Sequence, residues 1–475
     1  MRRTISSFAI LLMLSVLFLS PPHPSALAQE IQAVVVGESV NTALAAAERV
    51  RVVVYLRNSL DRAANLDDLT QAVQVAQDEA LSSLSEDEFT LQRRFETIPA
   101  FAGDISASGV QRLAALPSVL RIDIDEGGTG HLTAAAALTR VNIVRDLGYT
   151  GKGVTVAVLD SGVDTDHPDL ADDLTAESCF CSGGGGCCPN SLTTQTGTGA
   201  AEDDNGHGTN VSGIVTSRGT VAPLGVAPDA DLVAVKVLAA DGSFCCSSDV
   251  VAGLDWIIAN RPEVQVVNMS LGTSALFAGD CDDATAFTMA FRDAINTLRS
   301  RGTTTFASAG NEGSGTQMTA PACIANAFST GAVYDGNVGS VSVLGCTDST
   351  TAADKVTCFS NSNSVTDIFA PGAPITSTGL GGGTSTYYGT SQASPHAAGC
   401  VADLLQARPA LTPDRIEQLL EQLGVMITNP KNALTFPRID CLAALSLLDL
   451  FVGEEDDAGR ESEGQEGEGK GSGGR

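Results

Sequence analysis

A serine that could act as a nucleophile lies in the stretch YYGTSQASPHAAGC, where a helix is predicted to begin. This residue, Ser391, would have its own N–H among the first amides of the helix, which lack partners and lie at the positive end of the macrodipole. An oxyanion forming beside Ser391 would be stabilised there, and Gly389 would let a substrate backbone approach. A serine in this position can equally be a simple N-cap, so the stretch leaves both roles open.

A serine hydroxyl is a weak nucleophile unless a base takes its proton, and the base must be one of five histidines. His396 follows Ser391 on the same predicted helix, whose step of about 100° per residue turns it away, so we expect it to be structural. Three others lie in an N-terminal leader, in a Gly-rich junction and beside a proline in a turn: His23, His131 and His167. His207 remains, in NGHGTNVSG, where two flanking glycines allow an unusual turn and leave room for a substrate.

Two further side chains fit the roles that such chemistry needs. Asp160 ends the apolar strand VAVLD, so its carboxylate would be half-buried and would need a partner, for which His207 is the natural candidate. That contact would fix the tautomer of the imidazole and stabilise its cation. Asn311, in SAGNEG, could donate a side-chain N–H to the oxyanion, although an asparagine between glycines is otherwise a turn residue.

The elements that must hold these side chains alternate along the chain from about Thr133. Apolar runs such as VTVAVLD, DLVAVKVL and VQVVNMSL predict strands, and VVAGLDWIIANR and SPHAAGCVADLLQA predict helices between them. Strands that are apolar throughout indicate a parallel sheet with helices on both faces. We therefore predict an α/β fold with a mainly parallel twisted sheet, preceded by a small α+β domain. Asp160, Asn311 and Ser391 fall at or just after the carboxyl ends of strands, where the working residues of such sheets lie.

Four segments divide the chain. Residues 1–28 have a charged start, a short apolar run and the cleavage motif ALA, which predicts a secretory signal peptide and an extracellular protein; a retained anchor is the alternative. Residues 29–131 would form the small domain, whose patterns predict a β-α-α-β order. Residues 132–450 would form the large domain. Residues 451–475, acidic and rich in glycine, are predicted to be disordered.

The composition excludes some partners and implies disulfides. A formal net charge of −29 argues against binding of nucleic acid or of an anionic membrane surface. Twelve cysteines in an exported chain predict an even-numbered set of disulfides. Three plausible pairs are Cys346 with Cys358, Cys281 with Cys323, and Cys400 with Cys441.

Taken together and in this order, the motifs VLDSGVDTDHPDL, NGHGTNVSG, NMSLG, SAGNEG and GTSQASPHAAG resemble those of the subtilisin-like serine proteases. The resemblance extends from about residue 149 to residue 407, and its motifs are highly specific. It implies a secreted endopeptidase in which Ser391 attacks the peptide carbonyl, His207 moves the proton and Asp160 orients His207. Asn311 would bind the oxyanion, and no cofactor would be required for catalysis.

The resemblance also implies where substrates bind. The segments that match those pairing with a peptide backbone in the family contain Gly242, Ser243, Ser270, Leu271 and Gly272. Protein or peptide substrates would lie between these segments, and we expect a monomeric enzyme. Residues 29–131 resemble the inhibitory propeptide of the family, which would occupy the cleft and be cut off by the enzyme itself near His131 or Leu132.

Two residues and one loop depart from the family pattern. Asn210 replaces a second histidine, and Gln392 replaces the methionine that follows the nucleophile. Asp169 matches a calcium-ligand position, but the loop SRGTVAP lacks the asparagine-rich segment that would complete an oxygen cage. No metal site is therefore predicted, although structural calcium elsewhere stays open.

An insertion, ESCFCSGGGGCCPN, lies between the Asp160 and His207 motifs, and a second cysteine pair, Cys245 and Cys246, follows the segment around Ser243. Six thiols on two neighbouring loops could form a metal cluster or a disulfide staple. Export favours oxidation, and none of the spacings is the C-x-x-C of a zinc site. We therefore expect up to three disulfides that tie the insertion to the second loop.

Other functions must be separated from that of a general endopeptidase. A processing protease with few targets would use the disulfide-bearing loops to narrow its cleft. A pseudoprotease would keep the fold without turnover, but the complete set of candidate catalytic residues argues against it. A lipase-like hydrolase would need a G-x-S-x-G elbow and a serine before its acid and histidine, whereas here the serine comes last.

Overall fold

The computed structural model describes residues 34–57, 66–125, 128–130 and 138–448. The predicted signal peptide, the predicted tail and the predicted cut near His131 lie outside these residues. Within the described part, no helix combines the length and the apolar character that a membrane span requires.

A five-stranded sheet with three helices forms the N-terminal part of the described chain. The strands are β1 (Val35–Val36), β2 (Arg49–Leu56), β3 (Phe89–Arg94), β4 (Ala100–Ser106) and β5 (Val119–Ile124), and the helices are α1 (Glu38–Leu44), α2 (Leu66–Leu81) and α3 (Ala107–Ala114). The order in the sheet is β1-β5-β2-β4-β3. Alternate residues of β2 serve two cores, since Val52 and Val54 pack with the helices of this part, whereas Val53 and Tyr55 pack against the large sheet's helices.

The predicted β-α-α-β order of this part is incomplete, although its α+β class is confirmed. Two strands, β3 and β4, lie between α2 and α3 and pair antiparallel. The sequence interpretation missed β3 because only Phe89 and Arg93 of that strand are buried. It missed β4 because the sequence AFAGDIS contains glycine and aspartate, which are depleted in strands.

The large sheet has ten strands, of which the eight inner ones are parallel and each edge strand is antiparallel. The parallel strands are β7 (Thr155–Asp160), β8 (Leu174–Phe180), β10 (Asp231–Lys236), β12 (Val264–Met269), β15 (Thr304–Ser308), β17 (Phe328–Tyr334), β20 (Ile368–Ala373) and β24 (Thr435–Arg438). The edge strands are β9 (Thr194–Thr196) and β23 (Val425–Thr428). The order is β23-β24-β20-β17-β15-β12-β7-β10-β8-β9.

Helices cover both faces of this sheet, which confirms the predicted fold class. They are α4 (Val141–Asp146), α5 (His207–Thr216), α6 (Ser247–Asn260), α7 (Ala286–Ser300), α8 (Thr390–Ala407), α9 (Pro413–Leu423) and α10 (Cys441–Ser446). Ala157 and Leu159 of β7 pack on the face that carries α6 and α7. Val156, which precedes them in the strand, packs on the face that carries α8. The N-terminal sheet lies on the α6–α7 side.

Short strands complete the fold outside the large sheet. A three-stranded antiparallel sheet has the order β11-β6-β13 and consists of β6 (Gly128–Gly130), β11 (Ser243–Phe244) and β13 (Leu271–Thr273). Three two-stranded antiparallel sheets are β14 (Leu276–Phe277) with β16 (Met318–Thr319), β18 (Val341–Val343) with β19 (Cys346–Asp348), and β21 (Ile375–Gly379) with β22 (Gly383–Tyr387). Among the described elements, β6 alone precedes the large domain and lies between two of its strands.

All twelve cysteines are paired in disulfides. The three pairs proposed from spacing are confirmed: Cys281–Cys323, Cys346–Cys358 and Cys400–Cys441. The expected staple between the insertion and the second loop is wrong, because the other disulfides close within each loop: Cys179–Cys188, Cys181–Cys187 and the vicinal Cys245–Cys246. The metal-cluster alternative is also excluded for these thiols. The insertion is a hairpin of β8 and β9 whose connecting loop carries its own two disulfides, and we call it the cysteine-rich hairpin (residues 174–196).

Candidate active site

A carboxylate and an imidazole meet at the carboxyl end of β7. Asp160 is the last residue of this strand and His207 is the first residue of α5. Oδ1 of Asp160 and Nδ1 of His207 are hydrogen-bonded. Gly208 allows the helix to come this close, because a Cβ at that position would lie 2.1 Å from the carbonyl oxygen of Gly162. The structure thus brings together the two side chains that the sequence analysis paired.

The Asp160–His207 pair is buried. Burial raises the pKa of the Asp160 carboxyl, and the neighbouring His207 opposes this rise. The N–H of Ser161 donates to Oδ1 of Asp160 at 2.7 Å, and Oδ2 has no hydrogen-bond partner within the described residues. Because Nδ1 of His207 is engaged by the carboxylate, Nε2 is the ring nitrogen that can accept a proton from a nucleophile.

Ser391 is the second residue of α8, after Thr390. Its hydroxyl donates to the carbonyl oxygen of Ser270 at 3.1 Å, and the hydroxyl of Ser270 donates to the carbonyl oxygen of Ser391 at 2.5 Å. Across the part of the chain that is described, no hydrogen bond joins Ser391 to His207. The serine therefore lies at a helix start, as expected, with its hydroxyl directed to the β12–β13 connection in this conformation.

A hydrogen bond between two buried amides ties α5 to α8 beside these residues. Nε2 of Gln392 donates to Oδ1 of Asn210 at 3.1 Å. Gln392 follows Ser391, and Asn210 lies one helical turn beyond His207, so the starts of the two helices are neighbours. These are the two positions at which the motifs depart from the family pattern. Sequence analysis treated them as separate departures, whereas in the structure they are partners.

The Asn311 side chain is oriented by the residue that precedes the candidate nucleophile. Oδ1 of Asn311 accepts the N–H of Thr390 at 2.9 Å and its hydroxyl at 3.0 Å. Nδ2 is buried and has no hydrogen-bond partner in the described chain. A buried donor without a partner is unfavourable and calls for a functional explanation. Apart from its position next to Ser391, Thr390 carries no separate signal in the sequence.

The predicted substrate segments lie on either side of β6. Ser243 is in β11 and is opposite Thr129, while Leu271 and Gly272 of β13 are opposite Gly130 and Thr129. Gly242 immediately precedes β11, and Ser270 immediately precedes β13. The two segments that were predicted to pair with a peptide backbone therefore do pair with a strand, and that strand belongs to the chain itself.

The remaining described histidines have structural surroundings. Nδ1 of His396 donates to the carbonyl oxygen of Gln392 at 2.6 Å, and burial lowers the pKa of His396 to about 4. His167 bridges two loops, since Nε2 donates to the carbonyl oxygen of Gly383 at 2.9 Å and Nδ1 accepts the N–H of Asp169 at 3.1 Å. Within the described residues, neither imidazole is hydrogen-bonded to Ser391.

The residues around Asp169 do not fit a calcium cage. Its carboxylate accepts three backbone N–H groups, from Thr220, Val221 and Ala222, at 2.5, 2.9 and 2.8 Å. These bonds hold the pKa of Asp169 below its usual value, against the opposing effect of burial. The described residues contain no cluster of three or more His, Cys, Asp or Glu side chains able to hold a metal. The loop amides occupy the oxygens that a cation would need.

Comparisons with known proteins identify the family of this chain. The model of the subtilase family (Peptidase_S8) matches residues 151–429. The alkaline protease of Alkalihalobacillus alcalophilus is 33% identical over 351 residues, which cover 73% of this chain and 80% of that protein. Subtilisin E of Bacillus subtilis (strain 168) is 31% identical over 355 residues, covering 73% and 81%. A solved structure, that of a cold-adapted subtilisin-like serine proteinase, is 26% identical with a TM-score of 0.47 over 62% of this chain and 90% of that one.

The matched region contains the strand, the two helices and the loops that carry every candidate catalytic residue. It defines a serine-type endopeptidase, an enzyme that acts on protein substrates and needs no cofactor for catalysis. The chain belongs to the subtilase family.

Proposed function

We propose that the chain is a secreted subtilase made as a zymogen, in which Ser391 is the nucleophile, His207 the general base and Asp160 the residue that orients it. The hydroxyl of Ser391 exchanges the carbonyl of Ser270 for Nε2 of His207 as acceptor. Oγ then attacks the peptide carbonyl carbon while Nε2 takes its proton. The protonated imidazole, stabilised by the Asp160 carboxylate, returns the proton to the leaving amine, and water releases the acyl group by the reverse sequence.

The charge that develops on the carbonyl oxygen needs donors that are already oriented. Nδ2 of Asn311 is one, since Thr390 fixes the other end of that amide. The N–H of Ser391 at the start of α8 is the other. Donors that need no reorganisation during reaction stabilise the transition state more than the bound substrate.

The observation that carries the proposal is the position of β6. This strand pairs antiparallel with β11 on one side and with β13 on the other, as a bound peptide would. Leu271, opposite Gly130, is adjacent to Ser270, whose carbonyl accepts from Ser391. The bond that enters the reaction centre would thus lie just beyond Gly130, close to His131 and Leu132. Residues 29–131 would then be a propeptide that blocks the cleft and is released by self-cleavage.

The features that predict export support the proposal of a secreted zymogen. The leader predicted at residues 1–28 would send the chain into an oxidising compartment, and six disulfides account for all twelve cysteines. A cytosolic protein would keep such thiols reduced. The propeptide would act as an intramolecular inhibitor until cleavage, and the mature enzyme would be a monomer that accepts protein or peptide substrates.

The test is to express the full chain and Ser391→Ala in parallel with export. The parent should shorten to a mature form whose N-terminus follows Gly130 by one or two residues and should then digest casein. The Ser391→Ala chain should stay at full length apart from loss of its leader. Self-shortening of Ser391→Ala would exclude this serine as the nucleophile, and a parent chain that neither shortens nor digests casein would exclude the zymogen.

A further inference from the structure

The carboxylate of Asp249 is buried where the N-terminal sheet meets the cysteine-rich hairpin. Asp249 lies in the first turn of α6, and 1% of its side chain is exposed. Its oxygens accept the N–H and the hydroxyl of Ser182, in the hairpin loop, each at 2.8 Å. A buried carboxylate also needs a cation, and Arg93 of β3 supplies it through Nε at 3.1 Å and Nη2 at 2.6 Å.

The guanidinium of Arg93 also binds the hairpin directly. Nη1 donates to the hydroxyl of Thr194 at 2.7 Å, and Nη2 donates to the carbonyl oxygen of Thr193 at 2.8 Å. The guanidinium carbon lies 5.5 Å from the centre of the Phe180 ring, within the range of a cation–π contact. The acceptors of all four hydrogen bonds of this side chain therefore lie outside the N-terminal sheet.

The disulfides of the hairpin give this site a fixed shape. Cys179–Cys188 and Cys181–Cys187 close the loop that joins Phe180 to Thr194. The cross-links hold an aromatic face, a carbonyl oxygen and a hydroxyl around one point, beside Asp249. A planar fork with several donors fits such a set, whereas an ammonium group can reach only part of it.

We propose that the cysteine-rich hairpin and Asp249 form a guanidinium-binding site that recognises the chain's own N-terminal domain through Arg93. This inference rests on the proposed function, in which that domain must stay docked until it is cut and released. The hairpin is an insertion relative to the family pattern, so the contact would restrict docking to a domain that presents an arginine at this position of β3.

The neighbouring Arg94 provides a matched control. Its guanidinium donates to Gln77, to the carbonyl oxygen of Gln74 and to Asp78, all within the N-terminal part. Asp78 is largely exposed, so the ion pair with it contributes little. Removal of Arg94 perturbs the same strand and the same net charge without touching the hairpin.

The test uses the full chain with Ser391→Ala, which cannot cut itself, and follows amide hydrogen exchange. Useful reporters are N–H groups whose acceptor lies across the domain contact: Thr97 N–H to Asp255 at 2.9 Å and Ser248 N–H to Asp125 at 2.8 Å. Truncating one partner of a buried charge pair mainly speeds separation, so Arg93→Ala should accelerate exchange at both reporters at least about 100-fold. Arg93→Lys should accelerate it about tenfold, and Arg94→Ala less than about threefold.

A second variant on the other side of the contact separates recognition from misfolding. Thr194→Val removes the hydroxyl that accepts from Nη1 of Arg93. In the Ser391→Ala chain it should speed exchange about fivefold, and it should add nothing further when Arg93→Ala is already present. Equal exchange rates in Arg93→Ala and Arg94→Ala would overturn the proposal. So would fully additive effects of Arg93→Ala and Thr194→Val on the exchange rate. Since no arm requires cleavage, a parent chain that fails to shorten would refute the zymogen while leaving this site to be judged by exchange.

Discussion

The hydrogen bond between Gln392 and Asn210 should couple the helix that carries the candidate nucleophile to the helix that carries the candidate base. Both side chains are completely buried. Nε2 of Gln392 donates to Oδ1 of Asn210 at 3.1 Å, and Nδ2 of Asn210 donates to the carbonyl oxygen and the hydroxyl of Ser385 at 3.1 and 3.0 Å. Oε1 of Gln392 has no partner in the described residues.

The magnitude follows from these contacts. Gln392→Met keeps the length of the side chain and removes its amide, which leaves Oδ1 of Asn210 buried without a donor at a cost of about 1–3 kcal/mol. The same change also removes the unpartnered Oε1, which offsets part of that cost. We therefore expect Gln392→Met to lower the free energy of unfolding by about 1 kcal/mol. Asn210→Ala loses the hydrogen bonds at both ends of the side-chain amide as well as side-chain volume, and should cost about 2–4 kcal/mol.

The assay is a double-mutant cycle in the Ser391→Ala background, where self-digestion cannot interfere. Urea unfolding of the four chains gives the free energy of unfolding of each one. In Asn210→Ala the amide of Gln392 has already lost its acceptor, so adding Gln392→Met should cost nothing or even stabilise. The coupling should be about 1 kcal/mol or more. If the two changes add to within about 0.3–0.5 kcal/mol, the contact does not join the helices energetically and the reasoning fails.

Three further predictions test other parts of the molecule. Asn311→Asp keeps the acceptor that binds Thr390 and removes the donor, so kcat should fall about 100-fold or more, the size such a loss has in subtilisin, and a change in KM alone would contradict the role. Burial raises the pKa of the Asp367 carboxyl to about 7, so the folded state retains a proton and the free energy of unfolding should fall as pH rises from about 4 to about 7. Asp367→Asn, whose amide oxygen can still accept from Ser329, should reduce that fall by roughly 2–4 kcal/mol in urea titrations, and an unchanged pH dependence would refute it. Gly208→Ala should abolish casein digestion in chains that still fold, because its methyl group would displace α5 from β7.

The large sheet could be predicted from the sequence because a strand buried on both faces is a continuous apolar run. VTVAVLD contains β7, and DLVAVKVL contains β10. Edge strands lack this signal, since three of the four residues of β23 are exposed. The flanking glycines predicted an unusual turn at His207, whereas a helix begins there in the structure, because Gly208 packs closely against Asp160 and Gly162.

The candidate site could be predicted as residue types and strand ends, but not as a set of contacts. Asp160 had to have a partner, and its contact with His207 followed from burial. The role of Thr390 could not be inferred, because its acceptor Asn311 is distant along the chain. The pairing of the six cysteines in the hairpin and the second loop was predicted wrongly for a related reason. Six closely spaced thiols allow many pairings, and only the path of the hairpin decides among them.

The strand β6 explains why inhibitor and substrate would be competitors. It has three residues, and its backbone bonds to β11 and β13 are the bonds that any bound peptide would make. Such a short strand gives little selectivity, so the affinity of the N-terminal domain must come from elsewhere. Carboxylates of that domain meet helix starts on the α6–α7 side, where Asp125 accepts the N–H of Ser248 and Asp123 accepts the N–H of Ala286 at 2.6 Å. In the proposed zymogen, release after cleavage would therefore be controlled at this docking surface, which includes Arg93, and a substrate would enter only when that contact opens.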